Sequence, residues 1–190
     1  MSLAVFASGG GTNLQALIDA SKKGEIHGKI SAVISNNSGA LALSRAASNN
    51  IPAYHVSSKT LPDPLQYVRR LCDLLSGHSV NLIALAGYMK LLPVEIIKRY
   101  RSRIINIHPA LLPKFGGRGM YGINVHKAVL ASGDRISGAT VHFVDEIYDH
   151  GAILIQRTVP VLPDDVSETL AERVLEVEHK ILPDAVRMFL

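Results

Sequence analysis

The sequence predicts an α/β protein built on a mostly parallel, doubly wound, Rossmann-like sheet, and three observations carry that expectation. Over the first hundred residues, short apolar runs alternate with longer amphipathic ones. Glycine or proline marks many of the joins, at Gly24, Gly28, Pro52, Pro62, Gly77 and Pro93. After His108 the rhythm breaks into a Pro- and Gly-rich stretch followed by two apolar runs and one long amphipathic run. A βαβα alternation implies parallel strands joined by right-handed crossovers with helices on both faces, and such sheets bind ligands at the carboxyl ends of their strands.

The elements follow in order from hydrophobic periodicity. Leu3-Ala4-Val5-Phe6 opens a strand at 3–7, and further apolar runs place strands at 30–35, 53–56, 81–85 and 103–107. Between them, amphipathic spacing places helices at 13–22, 40–49, 65–76 and 93–100. Residues 109–122, with Pro109, Pro113 and Gly116-Gly117-Arg118-Gly119, read as a long loop, ordered or mobile, of a length that is usually functional or disordered. A helix at 123–132, antiparallel strands at 138–144 and 152–160, and a helix over 166–188 with a break at Pro183 complete the chain as a C-terminal hairpin plus helix.

Composition narrows the class. At 190 residues, 47% apolar and 19% charged, the chain is expected to form one globular domain, 1–190. The net charge of +4 is mild, and the one basic cluster, Lys98 to Arg103, closes a predicted helix whose dipole favours cations. With aromatics at 5% and no Trp, no nucleic-acid partner is expected. Cys72 is the only cysteine, which excludes an intrachain disulfide and a cysteine-based zinc site. No apolar run reaches the length of a bilayer, so no membrane partner is expected and the cytoplasm is the simplest location.

Three constellations carry chemistry. Ala7-Ser8-Gly9-Gly10-Gly11-Thr12-Asn13 joins the first strand to the first helix, where backbone N–H groups can cradle a phosphate. It is not the dinucleotide fingerprint, because Leu14 stands where a glycine is needed; a Gly-rich turn capped by Thr or Asn is the other reading. Asn106 and His108 share one face of a strand opposite Ile107, and Pro109 ends it. Together with Asp149 they could run an acyl transfer: the amide donates to an oxyanion, the imidazole moves a proton, and the carboxylate raises the imidazole pKa above about 6.5. Nothing in spacing decides whether Asp149 reaches His108 or is a turn residue. The third segment, Val141 to Gly151, holds two histidines and three carboxylates. Its spacing matches no metal motif, so no metal is expected and His142 reads as a strand histidine.

Asn106-Ile107-His108-Pro109-Ala110-Leu111-Leu112-Pro113, the loop at 8–13, and Val144-Asp145-Glu146 with Asp149-His150-Gly151 resemble the phosphoribosylglycinamide formyltransferase family, folate-dependent enzymes of purine synthesis. That resemblance implies formyl transfer from 10-formyltetrahydrofolate to glycinamide ribonucleotide, with Asn106, His108 and Asp149 catalytic. Gly11, Thr12 and Asn13 would hold the phosphate and Glu178 the ribose; Met89, Lys90, Leu91, Leu92, Asn106 and Val144 would line the folate pocket. Residues 1–100 then form a phosphate-binding half and 101–190 a catalytic and folate-binding half. A cis Leu112-Pro113 bond is implied, and a homodimer is compatible. A family arginine that helps bind folate falls here on Pro64, with Lys59 or Arg69 as substitutes. Alternatives are a formyltetrahydrofolate hydrolase, a formyltransferase with another acceptor, or a non-catalytic phosphate-binding module.

Overall fold

The structure is a computed structural model, and it describes residues 1–189. Seven strands form one sheet: β1 (Ser2–Phe6), β2 (Lys29–Ser35), β3 (Ala53–His55), β4 (Leu82–Leu85), β5 (Ile104–His108), β6 (Ile136–Phe143) and β7 (Ile153–Pro160). They run in the spatial order β3-β2-β1-β4-β5-β6-β7. The pairs from β3 through β5 are parallel, whereas β5–β6 and β6–β7 are antiparallel. The helices are α1 (Thr12–Lys22), α2 (Leu41–Ser48), α3 (Pro64–Gly77), α4 (Val94–Arg99), α5 (Ile123–Ser132) and α6 (Ser167–Arg187).

Alternation along the strands divides the core. Leu3, Val5 and Ala7 of the first strand and its end join Leu14, Leu17, Ala42, Val129, Leu170 and Val174 in one layer, under α1, α2, α5 and α6. Ala4 and Phe6 face the other way, onto Leu71, Leu75, Ile96 and Ile97 of α3 and α4. On β5, Ile105 and Ile107 enter the first layer and Ile104 the second, so Asn106 and His108 lie on the α3–α4 side. The strand order reverses direction between β1 and β4, and their carboxyl ends diverge into a crevice there.

Element ends carry local explanations. Asp63 caps α3 by accepting the Leu65 N–H at 2.9 Å, with Pro64 in the first helical position, where its missing N–H costs nothing. At α6, Val166 has no side-chain acceptor; the Thr169 hydroxyl accepts the Val166 N–H instead, at 3.1 Å. Arg173 then clamps Asp165 with two bonds of 2.6 and 2.8 Å, holding that carboxyl well below the usual range. The expected break at Pro183 does not occur: α6 runs unbroken from Ser167 to Arg187. Proline removes one helical hydrogen bond, but the buried Ile181, Leu182, Ala185 and Val186 anchor the helix on both sides of it. Leu112-Pro113 is a cis peptide.

Gly138 on β6 pairs with Thr158, and any Cβ there would meet the Arg157 carbonyl and the Leu111 side chain. Gly138→Ala is expected to destabilise the fold by about 1–3 kcal/mol through overpacking. A urea midpoint equal to wild type would show that β7 yields freely.

Candidate functional site

The carboxyl end of β5 brings Asn106, His108 and Asp149 together. Asp149 sits in the loop between β6 and β7 with φ 53, a left-handed conformation that aims its carboxylate back at β5. One oxygen lies 3.6 Å from His108 Nδ1 and accepts the Gly117 N–H at 2.9 Å. The other lies 3.4 Å from Asn106 Nδ2 and 3.5 Å from His142 Nε2. His142, opposite Asn106 across the β5–β6 pair, donates from Nδ1 to the Phe143 carbonyl at 2.7 Å. Its Nε2 is therefore the acceptor for Asn106 Nδ2 at 3.0 Å. One N–H of the Asn106 amide is thus committed to His142, while the other makes only the long contact to Asp149.

His108 is 3% exposed, and its Nε2 donates to the Phe115 carbonyl at 2.8 Å. That bond places the proton of the neutral ring on Nε2 and a lone pair on Nδ1, facing Asp149. The expected rise in the His108 pKa is overturned. Burial lowers it below its ordinary value; the Asp149 charge and the Phe115 carbonyl pull it back only in part, and His142 adds to the depression. At 3.6 Å the carboxylate acts on the ring by charge alone, which does not offset desolvation. Burial pushes the Asp149 carboxyl up, but the protonated forms of His142 and His108 and the Gly117 N–H outweigh it, and its pKa falls.

These groups open onto a cleft of about 1540 Å³. Met89, Lys90, Leu91, Leu92 and Val144 line it, as do Asn106, His108, Asp149 and Glu178. Met89 and Leu91 are exposed and Leu92 is buried behind them. Lys59 lines the cleft, whereas Arg69 is exposed on α3 outside the lining, and Pro64 serves as the start of that helix. Sequence reasoning passed over His126 and the Tyr67–Tyr88 hydroxyl pair and gave the strand histidine His142 no part in the site, although all lie on the cleft. Only the β5–β6 register, which sets His142 opposite Asn106, could have singled out His142. Among the described residues no cluster of three His, Cys, Asp or Glu side chains is placed to hold a metal. No helix among them is long and apolar enough to cross a membrane.

Beside the cleft, the Gly-rich loop enters α1 through Gly11, at φ 71, with no side-chain cap on the helix. The helix therefore keeps first-turn N–H groups for an anion. A Cβ on Gly11 would lie 2.8 Å from Ala42, so α2 presses directly on the loop. Asn13 does not face the loop's mouth: its amide donates to buried Glu178 on α6 at 2.5 Å, and its own oxygen has no partner. Thr12 faces a separate hollow of about 600 Å³ between α1 and α6. Burial pushes the Glu178 carboxyl up to about 7 against the Asn13 bond.

A crevice at the switch point of a parallel sheet, carrying an amide, an imidazole and a carboxylate at one strand end beside an uncapped helix N-terminus, defines a group-transfer class of α/β protein. Residues 1–186 match the family model described as formyl transferase. A phosphoribosylglycinamide formyltransferase, chloroplastic, from Vigna unguiculata is 49% identical over 97% of this chain, which spans 59% of that protein's length. The phosphoribosylglycinamide formyltransferase of Haemophilus influenzae is 41% identical over 98% of the chain and 86% of its own length. The crystal structure of glycinamide ribonucleotide transformylase 1 from Geobacillus kaustophilus superposes with a TM-score of 0.92 at 39% identity, covering 100% of this chain and 98% of that one. The chain belongs to the formyl transferase family.

Two expectations follow from the ionisable groups. Removing the Asp149 charge in Asp149→Asn should lower the His108 titration further, read from its ring-proton NMR signal; an unmoved or raised titration would mean that the carboxylate does not act on the ring. Glu178 has a folded pKa near 7 against an unfolded value near 4.5. Its stabilising contribution is complete below 4.5 and is lost as pH rises through 7. Glu178→Gln, whose amide can also donate to the free Asn13 oxygen, should stabilise the unliganded protein at pH 8 by up to about 3 kcal/mol and have little effect near pH 4.5. Equal denaturation midpoints at pH 8 would contradict this.

Proposed function

We propose that this protein transfers the formyl group of 10-formyltetrahydrofolate to the amine of glycinamide ribonucleotide, a step of purine biosynthesis. The observation that carries the reading is the convergence of Asn106, His108 and Asp149 on one wall of the cleft beside the Gly-rich loop. The names of the Vigna unguiculata and Haemophilus influenzae relatives support the acceptor. Residues 1–190 act as one formyltransferase domain: 1–100 supply a phosphate cradle from the backbone N–H groups of Gly11, Thr12 and Asn13, and 101–190 supply the catalytic groups. Glu178 reaches from the second half to the ribose, and Met89 to Leu92 with Val144 hold the folate. A cytoplasmic location fits this role, although the Vigna unguiculata relative is named as chloroplastic.

The chemistry is direct transfer. The glycinamide amine attacks the formyl carbon, and the loosely held N–H of Asn106 donates to the oxyanion that forms. The attacking amine must lose one proton and the departing folate nitrogen must gain one. His108 Nδ1 is the lone pair that can carry it, and Asp149 then faces an imidazolium instead of a neutral ring, so its attraction is strongest when the proton is in transit. Burial favours the neutral form of His108, the form with a lone pair to accept.

Incubation with 10-formyltetrahydrofolate, with and without glycinamide ribonucleotide, tests the assignment. Consumption only with the acceptor supports it; consumption without acceptor makes the protein a hydrolase, and none makes it a binding module. Asn106→Ala is expected to lower turnover by about 10²–10³ in soundly folded protein, the cost of one oxyanion donor. Near-native turnover would remove Asn106 from the mechanism.

A further inference from the structure

Ser8 stands at the switch point, where β1 and β4 part, and is only 9% exposed. Its polar groups tie β1 to the chain on both sides, beyond β4 and beyond β2. Its N–H donates to the Gly87 carbonyl at 3.0 Å, just beyond β4. Its carbonyl accepts from Asn37 Nδ2 at 3.4 Å, and its hydroxyl donates to Asn36 Oδ1, both just beyond β2. The same hydroxyl accepts the Met89 N–H at 2.8 Å. Met89 is 52% exposed on the cleft wall, so this bond pins the backbone of a lining residue and leaves its side chain free for a ligand.

The next residues extend the tie to α2. The Gly9 carbonyl accepts from the Ala42 N–H at 3.1 Å, and the Gly10 carbonyl accepts from Arg45 Nε at 2.8 Å. Residues 8–10 are thus held as one piece between α2 and the Gly87–Met89 turn, with the entrance to α1 next in the chain. The Ser8 hydroxyl is the contact through which a displacement of that entrance would reach the Met89 N–H.

We infer that Ser8 is a positioning residue that couples the phosphate cradle to the folate wall, so that filling the cradle tightens folate binding and the reverse. This rests on the functional reading above. The two subsites lie on different connections of the sheet, after β1 and after β4; Ser8 joins them through its N–H to Gly87 and, as the one side-chain bond it makes to the folate wall, through its hydroxyl to Met89. Linkage requires the effect to be reciprocal.

Calorimetry with tetrahydrofolate, which has no formyl group to transfer, tests it with and without saturating glycinamide ribonucleotide. In wild type the ribonucleotide should tighten tetrahydrofolate about 5-fold or more. In Ser8→Ala, which keeps the backbone bond to Gly87, that ratio should fall toward one, at least halving, while the ribonucleotide alone binds within about threefold of wild type; Ser8→Thr, which keeps the hydroxyl, should restore the ratio. Hydrogen exchange without ligand should show a faster Met89 amide in Ser8→Ala, a readout that a general loss of stability would spread over the core. Should Ser8→Ala fail to fold, Ser8→Cys, a weaker acceptor of similar size, is expected to lower the ratio in the same direction. A ratio in a folded Ser8 variant without the hydroxyl equal to that of wild type, or a wild-type ratio of one, overturns the coupling and leaves the functional reading standing. Wild-type protein that binds neither ligand overturns both.

Discussion

The carboxylate of Asp149 is the constraint around which the site is assembled. A charge 11% exposed in its side chain must be met by donors or cations, and the fold meets it with the Gly117 N–H and the Asn106 amide, beside two imidazoles whose facing nitrogens can take up a proton. Meeting it forces three separate segments into register: the end of β5, the loop after it, and the β6–β7 turn. The antiparallel pairing of β5 with β6 is what makes this geometry available, because it returns the chain beside Asn106 and His108 and sends the following loop back over them.

The same economy appears around the loop after His108. Thr140, opposite His108 on β6, accepts the Leu112 N–H at 3.2 Å and donates to the Ala110 carbonyl at 2.6 Å. Gln156 on β7 adds bonds to the Leu112 carbonyl and to Thr140, at 2.8 and 2.9 Å. These hold the backbone so that the Phe115 carbonyl arrives at His108 Nε2, which sets the ring's tautomer. Tautomer and charge state are therefore consequences of sheet pairing several residues away. On the other side of the sheet, α6 places Glu178 against Asn13, so the chain's last helix is tied to the first turn of its first helix.

Much of this was legible in the residues. Every strand and helix expected from periodicity is present within about two residues of its place, because each is strongly amphipathic or apolar over its whole length. Asn106 and His108 were placed on one face by strand alternation, a property that needs no tertiary information. The Pro183 break failed because helix propensity is a local quantity, whereas the buried residues around it act through packing. The pKa of His108 failed in the same way: a carboxylate could be anticipated beside the ring, but the depth of burial that outweighs it could not. His142 is the hydrogen-bonded strand histidine expected, but its partner Asn106 is set only by register.

The amino-acid order by itself determined the alternation of elements, the parallel character of the first five strands, the glycine loop and the polar pair on β5, since each depends on periodicity or on residues within a few positions. The folded structure alone decided that Asp149 faces those residues and not solvent, that Asn13 turns inward to Glu178, and that Ser8 spans two subsites. Those contacts join residues between 40 and 170 positions apart. No local preference reaches that far, and only the packing of the sheet brings such groups within bonding distance.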